Sequence, residues 1–137
     1  MEKRYYRGLD NLKDLLFIKL SDELIKIYGK ENIELPKKKF EIVEMDGNGN
    51  LTGKSHIGYK YHFLNINLGN NEKMDIEFGD FWMFEGLGFI RKKGNKKGYL
   101  EKIYFKLDDK LNKEFEFKKV VKDIIEYINY TNLYKID

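Results

Sequence analysis

The sequence predicts an α+β fold: an N-terminal helix, an antiparallel sheet of about five strands and a C-terminal helix, with both helices packed on one sheet face. Three observations carry this. An apolar stripe at three- and four-residue steps lies near the start of the chain. Short aromatic segments joined by Gly/Asn turns fill residues 54–107. A second stripe of helical period follows them. The 137 residues suit one domain spanning 1–137, long enough to bury a core without staples.

The first helix is expected over 9–29. Leu9, Leu12, Leu16, Leu20, Leu24 and Ile27 form one stripe, while Lys13, Asp14, Lys19, Asp22, Glu23 and Lys26 fill much of the other face. Gly29 is a natural stop, and Ser21 marks a place for a bend. A connector with Pro36, the only proline, leads to a strand over 39–45. Asp46-Gly47-Asn48-Gly49-Asn50 is a turn signal, because Gly and Asn tolerate positive φ. The next strand begins near Leu51 or Thr52.

Over 54–68, Ile57, Tyr59, Tyr61 and Phe63 share one face. The apolar phase then switches to Leu64, Ile66 and Leu68, which reads as a β-bulge. Gly69-Asn70-Asn71-Glu72 turns the chain into a half-buried strand. There Met74, Ile76 and Phe78 alternate with Lys73, Asp75 and Glu77. Strands are also expected over 89–92 and 99–107, joined by a hairpin turn at 94–98. The second helix is expected over 112–130, with Phe117, Val120, Val121, Ile124, Ile125 and Ile128 as its stripe and Asn112 as its N-cap.

Composition bounds the function. Hydrophobic residues at 42% and aromatics at 15% exclude a disordered chain. The absence of cysteine excludes disulfides, thiolate metal sites and a cysteine nucleophile. A net charge of +3 on 36% charged residues, both signs mixed, fits a solvated surface better than a dedicated DNA-binding domain. The absence of Ala and Gln beside abundant Lys, Ile, Asn and Tyr marks an AT-rich coding sequence. The apolar piece Leu15-Leu16-Phe17-Ile18 is too short for a signal-peptide core or a membrane span, so a cytoplasmic protein without membrane contact is expected.

No set of residues announces a reaction. The 46–52 turn opens like a calcium loop, but Leu51 stands where that loop needs glycine and Ile57 where it needs a bidentate glutamate. His56 and His62 lie about 20 Å apart on a regular strand, too far to share a metal. Asp75, Glu77, Glu101 and Lys106 have the residue types of a metal nuclease, yet alternating charge is the ordinary pattern of a wet strand face. Gly86-Leu87-Gly88 lacks the Gly-Lys-Ser/Thr of a phosphate loop. No cofactor and no metal are expected.

Two surfaces point to binding. Phe81-Trp82-Met83-Phe84, flanked by acids and glycines, has the make-up of a protein-binding anchor, with Tyr59 and Tyr61 as further aromatics. Asp75, Glu77, Asp80 and Glu85 add acidic complementarity to a basic partner such as a toxin or nuclease. The leading expectation is therefore an immunity- or inhibitor-type protein that occludes its target stoichiometrically. The second is a nucleic-acid-binding module using the basic hairpin Arg91, Lys92, Lys93, Lys96 and Lys97, with Tyr99 stacking on a base. The third is a small enzyme or ligand binder with a pocket between helices and sheet. An open sheet edge or aromatic patch also suits a homodimer.

Overall fold

Strand β1 (Lys3–Arg7) precedes the first helix and lies parallel to β3 (Phe40–Met45), with Tyr6 opposite Glu44. Only Tyr6 among these residues is buried, so the apolar alternation that marks a strand is faint here. The computed structural model of the chain describes residues 1–81, 84–93, 96–97, 118–119, 121–123 and 125–126.

Two parallel neighbours need a crossover, and helix α1 (Leu9–Tyr28) supplies most of it. Gly8, at φ 50°, makes the sharp passage from strand to helix. The helix is continuous through Ser21, whose hydroxyl donates to the Phe17 carbonyl at 2.7 Å instead of bending the chain. A single 3-10 turn (Lys30–Asn32) and the two-residue β2 (Ile33–Glu34) complete the connection.

Among the described residues the strands divide between two sheets, not one. Sheet A has the order β1-β3-β4, where β4 (Leu51–Gly58) runs antiparallel to β3. Sheet B has the order β2-β5-β6-β7-β8 and is antiparallel throughout. Its members are β5 (Phe63–Gly69), β6 (Glu72–Phe81), β7 (Phe84–Lys93) and β8 (Lys96–Lys97), beside β2. Gly86-Leu87-Gly88 lies inside β7, so this strand begins five residues before the expected Phe89. The α+β class, the N-terminal helix and the antiparallel-rich sheets are thus present.

The phase switch after Phe63 is not a bulge. One strand ends at Gly58 in sheet A, residues 59–62 cross over, and a new strand starts at Phe63 in sheet B. Leu16, Phe17, Leu20 and Leu24 of α1 pack with Leu64, Ile66, Met74, Ile76 and Phe78 in the main core. Tyr6, Phe40 and Ile42 form a second, smaller core. The described residues between 118 and 126 are helical, and Val121 joins the main core with Ile125 against it. The rest of the expected second helix and the strand over 99–107 lie outside the described residues. Among the described residues no helix is long and apolar enough to cross a membrane.

Candidate functional site

The most concentrated polar chemistry lies in the interior, on Asp14. Its side chain is fully buried and faces the seam where β4 leaves sheet A. His56 Nε2 donates to Oδ2 at 2.5 Å, His62 Nε2 to Oδ1 at 2.6 Å, and the Tyr59 backbone N–H to Oδ1 at 3.0 Å. The other nitrogen of His56 faces Glu44 Oε2 at 3.2 Å. Glu44 Oε1 in turn accepts from Asn11 Nδ2 at 2.8 Å. The Tyr6 hydroxyl donates to the Tyr59 carbonyl, so both backbone groups of Tyr59 are held.

Local sequence explains the assembly. Asn11, Asp14, Phe17 and Ser21 recur at helical steps and form a buried ridge beside the leucine stripe. Asp14 therefore leaves the polar face to which the sequence pattern assigned it. Gly58 permits the close approach: a Cβ there would stand 2.0 Å from Asp14 Oδ2 and 2.7 Å from Ile42 Cγ1. The crossing at 59–62 brings His62 back toward His56, which a continuous strand would have kept far away. The Phe78 N–H then fixes His62 by donating to its carbonyl at 2.7 Å.

Burial pushes the Asp14 carboxyl up, but the N–H groups of His62, His56 and Tyr59 outweigh it and hold the carboxyl below its ordinary value. Burial and the Asp14 charge both push the Tyr6 and Tyr59 phenols up. A neutral His56 ring donates to one carboxylate only, whereas an imidazolium donates to Asp14 and Glu44 together. The His62 ring is packed edge-on against Phe17 at 5.3 Å. Asp14 itself is fully buried, while His56 and Glu44 are about 15% and 14% exposed, and the arrangement clamps α1 to the junction of the two sheets. Among the described residues no three His, Asp or Glu side chains are placed to hold a metal ion.

The four-residue crossing sends alternate pairs in opposite directions. Tyr59, 7% exposed, packs on Phe17 in the core, and His62 joins Asp14. Lys60 and Tyr61 face solvent, Tyr61 being 60% exposed, and Phe63 just beyond is 50% exposed. Tyr59 is thus corrected from surface anchor to core residue: its ring is covered and its backbone is bonded on both sides. Tyr61 keeps the exposed position, and Phe63 is an aromatic anchor candidate that the sequence reading did not select.

The other candidates fall along sheet B. Exposed Glu77 pairs with Phe63 in register, and Asp75 pairs with Asn65, whose Nδ2 donates to Asp75 Oδ1 at 2.5 Å. Asp80 stands opposite Glu85 and Phe81 opposite Phe84, so backbone register brings the acidic and aromatic positions to one hairpin. Trp82 lies outside the described residues, as do Tyr99, Glu101 and Lys106. Lys92 pairs with Lys97 and Lys93 with Lys96, so Lys96 and Lys97 stand in a strand where a turn over 94–98 was expected, and Arg91 stands opposite Met74. In the 46–50 turn, Asp46 Oδ1 accepts from the N–H groups of Asn48 at 2.9 Å and Asn50 at 3.0 Å, so this carboxylate closes a turn.

No family model, curated protein or solved structure matches the chain.

Proposed function

We propose that this protein is a non-catalytic binding protein that occludes a basic surface on a protein target, such as a toxin, a nuclease or a defence factor. The observation that supports this most directly is the outer face of sheet B. There the half-exposed Phe63 lies directly across from the exposed Glu77, with Asp75 two residues further on. A large aromatic beside carboxylates suits a desolvated anchor with electrostatic complementarity to lysines and arginines. Asp80, Phe81, Phe84 and Glu85 extend the same hairpin in this reading. The second helix over 112–130 serves as scaffold, with Val121 as its core contact. A cytoplasmic setting belongs to the proposal and is supported by the lack of cysteine.

The test is recovery of a stoichiometric partner by the tagged protein from its native cells, repeated with Phe63→Ala combined with Glu77→Lys. The expected result is one protein in near-equal amount, bound at least about 30-fold more weakly by the folded double variant. Equal recovery by both forms rejects this face as the anchor.

One observation favours a second reading, nucleic-acid binding. Register sets the positions of Lys73, Lys92 and Lys97 in one row across three strands. Like charges opposite one another repel, and an anionic backbone along the row relieves the repulsion. Lys92→Glu with Lys97→Glu is then expected to abolish retention on a phosphate-bearing polymer.

A further inference from the structure

We propose that the groove beside the sheet crossing binds a nucleoside phosphate, either as a free nucleotide or as one unit of a single-stranded nucleic acid. The groove encloses about 340 Å³ between β1, the segment over 36–40 and the crossing. That volume is at the lower end of the range of about 300–1,000 Å³ for small-molecule sites. The proposal does not depend on the protein-binding reading. The groove also stands apart from the basic hairpin: on β6, Glu77, the partner of Phe63, lies four residues from Lys73, about 13 Å at the strand rise.

The lining combines the two features that such a ligand needs. Tyr61 and Phe63 give exposed ring faces at the rim, and buried Phe40 closes the floor. Around them stand Arg4, Lys37, Lys38 and Lys60 against one acid, Glu2. Glu2 pairs with Lys38 at 2.8 Å, and the Lys60 charge also helps hold its carboxyl below the ordinary value. Lys37 and Lys60 have no carboxylate at ion-pair distance among the described residues. The Lys60 ammonium is 5.3 Å from the Tyr61 ring centroid, so a cation and a stacking face are presented side by side. The Arg4 guanidinium is wedged at 5.5 Å from the Phe40 ring and 5.9 Å from the Tyr6 ring, and its Nε is buried with no acceptor.

The Arg4 guanidinium, which also interacts with the Tyr6 hydroxyl, adds fixed positive charge to the groove wall and favours a phosphate there. Aromatic rings flanked by cations are the arrangement that stacks a base while holding its phosphate. An uncharged apolar ligand leaves the cations unmatched, and an inorganic anion leaves Tyr61 and Phe63 uncovered. A base carrying a phosphate fits both halves of the lining.

The test is calorimetric titration of the intact protein with adenosine and uridine 5′-monophosphates and with a 5′-phosphorylated single-stranded hexanucleotide. Saturable one-site binding at low salt is expected for at least one of them, weakening as salt rises, with log K for the hexanucleotide falling by about 0.7 per log unit of salt for each phosphate held. Tyr61→Ala and Lys60→Glu change exposed side chains and keep the fold, and each is expected to weaken binding at least about tenfold. Lys26→Glu on the exposed helix face carries the same charge change outside the groove and is expected to leave affinity unaltered. Equal affinity for mononucleotide and hexanucleotide identifies the free nucleotide as the ligand, and binding of the hexanucleotide alone identifies a single strand. Binding by none of the three probes, binding that survives both groove variants, or binding lost only with Lys92→Glu and Lys97→Glu overturns the proposal.

Discussion

The cluster around Asp14 and the rim around Tyr61 share the four-residue crossing over 59–62 and do opposite work. Inside, two histidines, two carboxylates, an asparagine and a backbone amide bond one another. Outside, Lys37 and Lys60 line a groove together with the half-exposed rings of Tyr61 and Phe63. Both histidines and Asp14 are engaged with one another, while Lys60 and Tyr61 face solvent. Polar groups placed against one another stabilise, whereas those placed against water can recognise. The crossing over 59–62 couples the two, because Tyr59 and His62 are its inward anchors and Lys60 and Tyr61 its outward pair.

The strongest way to break this contrast is to remove Asp14. Asp14→Ala leaves His56, His62 and the Tyr59 N–H without their acceptor inside the protein. A loss of about 3–5 kcal/mol is expected, read as a lower urea midpoint. Asp14→Asn keeps the shape and removes the charge, which sharpens the comparison through pH. A carboxyl held below its ordinary value of 3.8 contributes stability that is complete above that value and is lost as the pH falls through its folded-state value. The melting-temperature gap between the native protein and Asp14→Asn is therefore expected to narrow below about pH 4. His56, His62, Glu44, Tyr6 and Tyr59 are the other titratable groups around Asp14. A gap that widens in acid rejects a depressed Asp14.

The sequence carried the elements better than their assembly. Period and turn chemistry located α1, β3, the 46–50 turn and the buried face of β6, because in each case one local pattern decides the outcome. Asp14 was misplaced because a helix touching two sheets buries more than one stripe, and the ridge through Asn11, Asp14 and Ser21 looks polar until its partners are known. Phe17 on that ridge, between Asp14 and Ser21, was the one available signal. The 54–68 segment showed its change of phase, but a bulge and a passage between sheets leave the same trace in the alternation. Gly58-Tyr59 marks the end of the strand only once Asp14 is seen against it. The groove was not legible at all, since Arg4, Lys37 and Lys60 converge only through tertiary packing.

Gly58 offers a smaller perturbation of the interior. In Gly58→Ala the new methyl meets the Asp14 carboxylate and the Ile42 side chain at impossible distances, so the crossing must shift outward. The expected cost is about 2 kcal/mol, less than loss of Asp14 because the hydrogen bonds can stretch without vanishing. The shift also moves Lys60 and Tyr61, so the same variant is expected to weaken nucleoside phosphate binding without touching the groove directly. Lowered stability with unchanged affinity separates the two regions and breaks the coupling through the crossing.

The smallest effect on stability is expected from the exterior itself. Lys60→Glu and Tyr61→Ala alter side chains whose contacts are mainly with water, and each should stay within about 0.5 kcal/mol of the native protein. A cation beside an exposed ring contributes little to folding, because water solvates the ammonium equally well in the unfolded chain. The two variants are thus expected to melt with the native protein while failing to bind, the reverse of Asp14→Asn, which should bind while melting early. Denaturant curves and titrations on the three variants read both axes at once. If Tyr61→Ala costs as much stability as Gly58→Ala, the exposed ring is a structural part of the crossing, and the division between an interior that holds and an exterior that recognises fails at that residue.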